Sequence, residues 1–228
     1  MKVALLDVNM DGANAVADEI GGTAVACDVT SSDSAEAAIA AAREAHGVAS
    51  LLVNCSGIAS PGRIVGRNGP LPLEAYASVI QVNLIGSFNM IRLFGADLYG
   101  TDPMTDGQRG LIVNTASVAA TEGQIGQAAY ASSKGGIVSL TLVAAREFAS
   151  QGIRVNTIAP GPDRHPDDGG PAREGARKPG PAAGVSQAAG TSRRIRTAGH
   201  AYVRKRADQW RGTTPRRRPA HGRALAPQ

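Results

Sequence analysis

Apolar and polar positions follow two rhythms along this chain. Short apolar runs, Val3 to Asp7, Thr23 to Val29, Ser50 to Asn54, Leu111 to Thr115 and Ile153 to Ile158, read as strands. Between them lie segments of helical period: Asp11 to Ile20, stopped by Gly21 and Gly22, then about 32–46, about 74–98 and about 128–150. The second of these holds Ala-Glu-Ala-Ala-Ile-Ala-Ala-Ala-Arg-Glu-Ala, residues of high helix propensity. The last carries apolar Ile137, Leu140, Val143, Ala144 and Phe148 beyond its first turns, and Gly152 ends it. Loops containing Gly and Pro separate the elements at 57–73 and 99–110. Strands alternating with helices of this length predict an α/β domain whose parallel sheet is joined by right-handed crossovers.

The pattern stops at Gly161. Of the 67 residues from Pro162 onward, 42 are Arg, Ala, Gly or Pro, and the large aliphatics are Val185, Ile195, Val203 and Leu225. That composition buries too little apolar area to offset an ordering cost of ~1–2 kcal/mol per residue, so 1–161 is read as one domain and 162–228 as a disordered tail. Charge divides at the same point. Residues 1–161 carry nine Lys/Arg against fourteen Asp/Glu, and 162–228 carry fifteen against five, so the net +5 averages two unlike parts. The clusters Arg193-Arg194-Ile195-Arg196, Arg204-Lys205-Arg206 and Arg216 to Arg218 have the sign of a nucleic-acid-binding arm. With Tyr202 and Trp210 as the only aromatics among them, a solvated tail is the preferred reading. No apolar run approaches the ~20 residues of a membrane span, and Asp7 comes too early for a signal peptide, so a cytoplasmic protein is expected. Cys27 and Cys55 stand in apolar segments without metal-ligand spacing; buried reduced thiols and no metal site are expected.

Candidate chemistry concentrates between Asn114 and Lys134. Ser117 precedes Tyr130 by thirteen positions, and Lys134 follows Tyr130 by four, one helical turn, so a hydroxyl, a phenol and an ammonium can converge. Phenol, with an ordinary pKa of ~10, is a poor base at neutral pH, and a neighbouring ammonium favours its ionised form. Alone, each group is as ordinary as a surface serine, a half-buried tyrosine or a solvated lysine. Asp7, at a strand end, is either a turn or helix-capping carboxylate or an acceptor for ribose hydroxyls.

Together, Asn54-Cys55-Ser56-Gly57, Asn83, Ser117, Tyr130-Ala131-Ser132-Ser133-Lys134 and Pro160-Gly161 resemble the short-chain dehydrogenase/reductase family over residues 1–161. The resemblance implies a Rossmann-type doubly wound parallel sheet and hydride transfer between NAD and a secondary alcohol. In that reading Tyr130 takes the alcohol proton and Ser117 holds the substrate oxygen. Lys134 assists Tyr130 and binds the nicotinamide ribose, and Asn83 anchors a water in the proton path. Asp7 meets the adenosine ribose and repels a 2′-phosphate, favouring NAD over NADP; Asp28 and Val29 flank the adenine. Asn54, Cys55 and Gly57 pass beneath the cofactor, and Pro160 and Gly161 border it. The phrases around Asn114 to Ala120, Glu122 to Tyr130 and Asn83 to Asn89 look most like the type II 3-hydroxyacyl-CoA dehydrogenases, which overlap the 17β-hydroxysteroid dehydrogenase type 10 group. An acyl-CoA or steroid-like alcohol substrate is then implied, with Gln124 on the substrate side, and a homo-oligomer through helices 74–98 and 128–150. Two departures from the family pattern stand out. No glycine-rich turn precedes Asp7, and Pro162-Asp163-Arg164-His165-Pro166 stands where the family continues into a substrate lid and last strand. The sheet is therefore expected to lack its first and last strands, the tail to arise from a shift of reading frame near Pro162, and a catalytically impaired fragment is the alternative to a working enzyme.

Overall fold

A computed structural model describes residues 1–161; the expected disorder of the tail and its basic clusters lie outside these residues. Seven strands and five α-helices follow in the order β1 (Ala4–Asp7), α1 (Met10–Ile20), β2 (Thr23–Ala26), α2 (Ser32–His46), β3 (Leu51–Asn54), β4 (Val65–Gly66), β5 (Gly69–Pro70), α3 (Leu73–Ile80), α4 (Gly86–Tyr99), β6 (Gly110–Thr115), α5 (Ala128–Glu147) and β7 (Ile153–Ile158). β1 and β2 pair in parallel, and β3, β6 and β7 form a second parallel sheet with β6 central. This is the expected α/β arrangement, in two pieces that share no hydrogen-bonded strand pair among the described residues. α2 and α4 hold the pieces side by side. Cys27, Ala35, Ala38 and Met90 form a buried cluster against which Leu6 of β1 and Leu52 of β3 both pack. A second cluster, with Ile91, Phe94, Leu98, Ile112, Ala144, Ile153 and Val155, seats α4 and α5 on β6 and β7.

Local chemistry accounts for where the elements begin and end. The Asn9 side chain caps α1 by accepting from the Gly12 amide, and Ser31 caps α2 by accepting from Ser34. β2 ends at Ala26, not Val29. The Asp28 carboxylate accepts from both the amide and the hydroxyl of Thr30 while its own amide donates to Ser34 Oγ, and this turns the chain toward α2. The expected helix at 74–98 is a continuous helical run, Leu73–Tyr99, interrupted by a π-helical turn at Gln81–Ile85. The run is long and apolar enough to cross a membrane by length and composition, but half of that apolar window is buried inside the protein. The last helix is shorter than expected: α5 stops at Glu147, and a 3-10 turn, Ala149–Gln151, leads to Gly152. One expected burial is not found: Cys55 is exposed, although Cys27 is buried. The 57–73 loop contains the small antiparallel β4–β5 hairpin and touches the start of α5 through a bridge between Gly62 and Gln127.

Gly21 and Gly152 both adopt the left-handed conformation, with φ of 66° and 67°. A side chain at Gly21 meets nothing within 4 Å, whereas one at Gly152 collides with the Gly107 carbonyl. Gly21→Ala is therefore expected to cost about 1–2 kcal/mol, the left-handed penalty alone. Gly152→Ala should cost distinctly more, and urea unfolding of the two variants side by side checks the order.

Candidate active site

The C-terminal ends of parallel strands are where open α/β folds gather their ligands, and the candidate residues follow those ends. Asp7 closes β1, Asp28 and Val29 follow β2, and Asn54 closes β3 with Cys55 and Gly57 just beyond. Ser117 lies two residues past β6, and Pro160 and Gly161 lie just past β7. The loops after β6 and β7 are tied together by the Val118 amide, which donates to the Pro160 carbonyl at 3.0 Å. Ser117 is extended and opens a single 3-10 turn, its Oγ accepting from the Ala119 amide at 3.2 Å. Its hydroxyl proton has no recorded partner in the described residues.

Tyr130 and Lys134 sit in the first turns of α5. Lys134 is 4% exposed, and its ammonium donates to the Thr115 carbonyl at 2.7 Å while lying 5.6 Å from the centre of the Tyr130 ring. Burial pushes the Lys134 amine below the ordinary lysine value, opposed in smaller measure by the neighbouring Cys55 thiol. One of its three donors is spent on Thr115. A Cβ at Gly57 would lie 3.6 Å from the Lys134 nitrogen and 3.4 Å from Asn83 Oδ1, so Gly57, Asn83 and Lys134 meet at one point.

Asn83 is held in the π-helical turn and is 1% exposed. Its Oδ1 accepts from the Ile58 amide at 2.8 Å, and its Nδ2 donates to the Ile58 carbonyl at 2.9 Å and to Ser133 Oγ at 3.0 Å. Ser133 in turn donates to the Tyr130 carbonyl at 2.8 Å. The Asn83 side chain thus fastens the segment beyond Gly57 to the first turn of α5. Ser133 escaped the sequence reading, although it stands beside Lys134; its part depends on a partner fifty positions away.

At the other group of strand ends, Asp7 is half-buried and one carboxylate oxygen accepts from the Asn9 amide at 2.9 Å. Asn9, not Asp7, caps α1, while the bond from the Asn9 amide two residues on is that of a turn carboxylate, so the turn alternative describes this contact of Asp7. Hydrogen bonds from Thr30, hydroxyl first and amide second, hold the Asp28 carboxyl below its ordinary range. The Val29 carbonyl accepts from Asn89 Nδ2 at 2.9 Å, which fixes the β2 turn to α4. Gln124 is exposed, and its backbone carbonyl caps the turn before α5 by accepting from Gln127. No group of three His, Cys, Asp or Glu suited to a metal occurs among the described residues.

A parallel α/β domain with a tyrosine, a buried lysine one turn later and a serine at the adjoining strand end defines a dehydrogenase architecture, and the chain belongs to the short-chain dehydrogenase family. The model of that family, "short chain dehydrogenase", matches residues 1–165. Among relatives, it is 47% identical over 161 residues to human 3-hydroxyacyl-CoA dehydrogenase type-2, covering 69% of this chain and 62% of that one. The Bos taurus protein of the same name is 52% identical over 136 residues, 59% of this chain and 52% of the relative. A crystal structure of 3-hydroxyacyl-CoA dehydrogenase type-2 from Mycobacterium avium superposes with a TM-score of 0.66 at 43% identity, covering 70% of this chain and 64% of that one. The chain thus spans between half and two thirds of the length of these relatives.

The burial of Lys134 sets the sign of a pH effect. In the folded chain the amine loses its proton at a pH where the unfolded chain still holds one, so stability rises with pH through that window, up to the ordinary lysine value of ~10.4. Below the window the folded state bears the whole cost of the buried charge. Relative to Lys134→Met, the wild-type chain is expected to gain stability as pH rises toward 10, read from urea unfolding at stepped pH. A difference that stays constant across pH would show an amine that titrates as in solution.

Proposed function

We propose that this chain carries the catalytic part of an NAD-dependent dehydrogenase acting on the secondary alcohol of a 3-hydroxyacyl-CoA, with a steroid-like alcohol as the second substrate class. The observation that carries this reading is the buried Lys134 ammonium, held by one carbonyl beside the Tyr130 ring. The donor and acceptor sets suit a dinucleotide. Lys134 retains donors toward Gly57, where a nicotinamide ribose would lie, and Asp7 retains acceptor capacity for the hydroxyls of an adenosine ribose. A carboxylate there repels a 2′-phosphate, which favours NAD over NADP. Asn54, Cys55 and Gly57 would form the floor of the cofactor site, Asp28 and Val29 its adenine side, and Pro160 and Gly161 its far border.

In this mechanism Ser117 donates its hydroxyl proton to the substrate oxygen, since its own oxygen already accepts from Ala119. Tyr130 receives the alcohol proton as general base, and the Lys134 ammonium stabilises the negative charge that Tyr130 must carry to do so. NAD, when bound, supplies the hydride acceptor. Asn83 holds the cofactor floor against α5 through Ile58 and Ser133, and Gln124 borders the substrate from the exposed loop before α5. The acyl-CoA substrate rests on the similarity to the relatives named above. A second reading, a catalytically impaired form of the same enzyme, is favoured by the lack of a strand pair joining the β1–β2 and β3–β6–β7 sheets among the described residues. Formation of NADH from a 3-hydroxyacyl-CoA, followed by ultraviolet absorbance on the purified chain, separates the two: turnover at ordinary enzyme rates supports the first, and its absence the second.

If Tyr130 is the base, Tyr130→Phe lowers kcat by ~10²–10⁴-fold with little change in KM. Asp7→Ala should relax the preference for NAD over NADP, read as the ratio of kcat/KM values for the two cofactors.

We also propose a homodimer through the long helices. Ile85, Phe88 and Tyr99 are exposed on one side of the Leu73–Tyr99 run, and Val138 and Leu142 are exposed one turn apart on α5. Pairing these helices between two copies would cover the exposed apolar side chains of both. Phe88→Glu combined with Leu142→Glu should convert a dimer to a monomer in sedimentation velocity; an unchanged mass would remove the interface from these helices.

A further inference from the structure

A row of polar side chains crosses the sheet where its residues should be apolar. Asn54 of β3, Asn114 of β6 and Thr157 of β7 are register partners across the three strands. Asn114 is completely buried. It interrupts the otherwise apolar Leu111-Ile112-Val113, and burying an amide is costly unless every polar atom is paired. Here the pairing is made. Asn54 Nδ2 donates to Asn114 Oδ1 at 2.9 Å, and Asn114 Nδ2 donates at 2.9 Å to Oγ1 of Thr141, which projects from α5.

Thr141 completes the row with all the capacity a hydroxyl has. It donates to the Ile137 carbonyl at 2.8 Å, so its two lone pairs take the Asn114 amide on one side and the Thr157 hydroxyl on the other. The direction of each bond is therefore determined, and one helix residue is pinned to two strands at once, with the third reached through Asn114. Thr141 lies seven residues, two helical turns, beyond Lys134 on the buried stripe of α5 that also holds Ile137. Asn114 immediately precedes Thr115, whose carbonyl accepts from the Lys134 ammonium. The same two elements are thus joined twice, once by the polar row and once by the ammonium.

We propose that Thr141 and Asn114 are positioning residues, a clamp that sets the height and rotation of α5 over β6 and thereby the reach of Lys134 to Thr115 and the placement of Tyr130 beside it. Apolar contact has no direction of its own, whereas hydrogen bonds fix both distance and angle and so add a sharper constraint on the height and rotation of the helix. An error of about 1 Å in such a placement costs on the order of 10²-fold in rate. The inference rests on the dehydrogenase reading for its functional meaning, but it concerns geometry that can be read without turnover.

The experiment compares wild type, Thr141→Val, which keeps the shape and leaves the Asn114 amide without an acceptor, and Thr141→Ser, which restores the hydroxyl. Lysine is labelled with ¹³C at Cε; of the four lysines in the chain, the Lys134 signal is assigned by its loss in Lys134→Arg. Besides Lys134 itself, the titratable groups facing this ammonium are Cys55 and Tyr130. In Thr141→Val the Lys134 titration midpoint is expected to move upward by half a pH unit or more toward the ordinary lysine value, as α5 shifts and water reaches the amine. Thr141→Ser should titrate like wild type. Where the wild-type chain turns over substrate, Thr141→Val should also lower kcat by about ten- to a hundredfold with KM changed less than about threefold, and Thr141→Ser should recover most of it. A folded Thr141→Val with an unchanged Lys134 midpoint overturns the proposal. If Thr141→Val does not fold, Thr141→Cys decides by the same titration, since a thiol of similar size is a weak acceptor for the Asn114 amide; no movement there overturns the proposal as well. A wild-type chain without turnover defeats the functional reading above, and the lysine titration then decides this inference by itself.

Discussion

A positive charge held away from water needs a partner, and around Lys134 that partner, among the described residues, is a backbone carbonyl at the end of β6. The residues about it are shaped by this requirement. Thr115 must present its oxygen toward α5, so β6 has to end there and turn, and Ser117 follows at once in extended conformation to start the next turn. Tyr130, one helical turn before the lysine, is brought beside the ammonium by the same geometry. Gly57 lies against the ammonium, where even a Cβ would be in van der Waals contact with it. A neutral side chain at 134 would relax all of these demands, which is why the ammonium, more than the serine or the phenol, organises the site.

The π-helical turn at Gln81–Ile85 serves the same end by another route. Asn83 lies within this wider turn, and its side chain bonds to both backbone groups of Ile58 and to Ser133. Helical interruptions of this type recur at functional sites because they re-aim a side chain without breaking the helix. Here the buried interior of the Leu73–Tyr99 run also carries the packing of α4 on the sheet, so one helix both supports the core and reaches into the site.

Much of this was legible in the residues. The strand and helix order follows from the alternation of short apolar runs with helical periods, and the observed element centres agree with it. Tyr130 and Lys134 were recognisable because their spacing is local, one turn of one helix. The misses have physical causes. Hydropathy carries β2 three residues past its observed end, because the Asp28–Thr30 side-chain hydrogen bonds that turn the chain there leave no mark on it. Cys55 was read as buried from its apolar neighbours, yet it lies beyond the last residue of β3, where alternation no longer decides which way a side chain faces.

Taken by itself, the sequence determined the rhythm of elements, the division at Gly161 in composition and charge, and the identity of the groups able to carry an alcohol oxidation. The first two depend on periodicity and composition, which a linear chain expresses directly; the third is a local spacing whose role in catalysis is the reading proposed above. Only the tertiary structure decided how the groups are held. The carbonyl under Lys134, the grip of Asn83 on Ile58 and the row from Asn54 through Asn114 and Thr141 to Thr157 join residues from sixteen to sixty positions apart. An asparagine or a threonine in a list of residues says nothing of its partner. Once burial removes water, each polar atom must find another in the fold, and the pairs that result are set by the packing of helix on sheet.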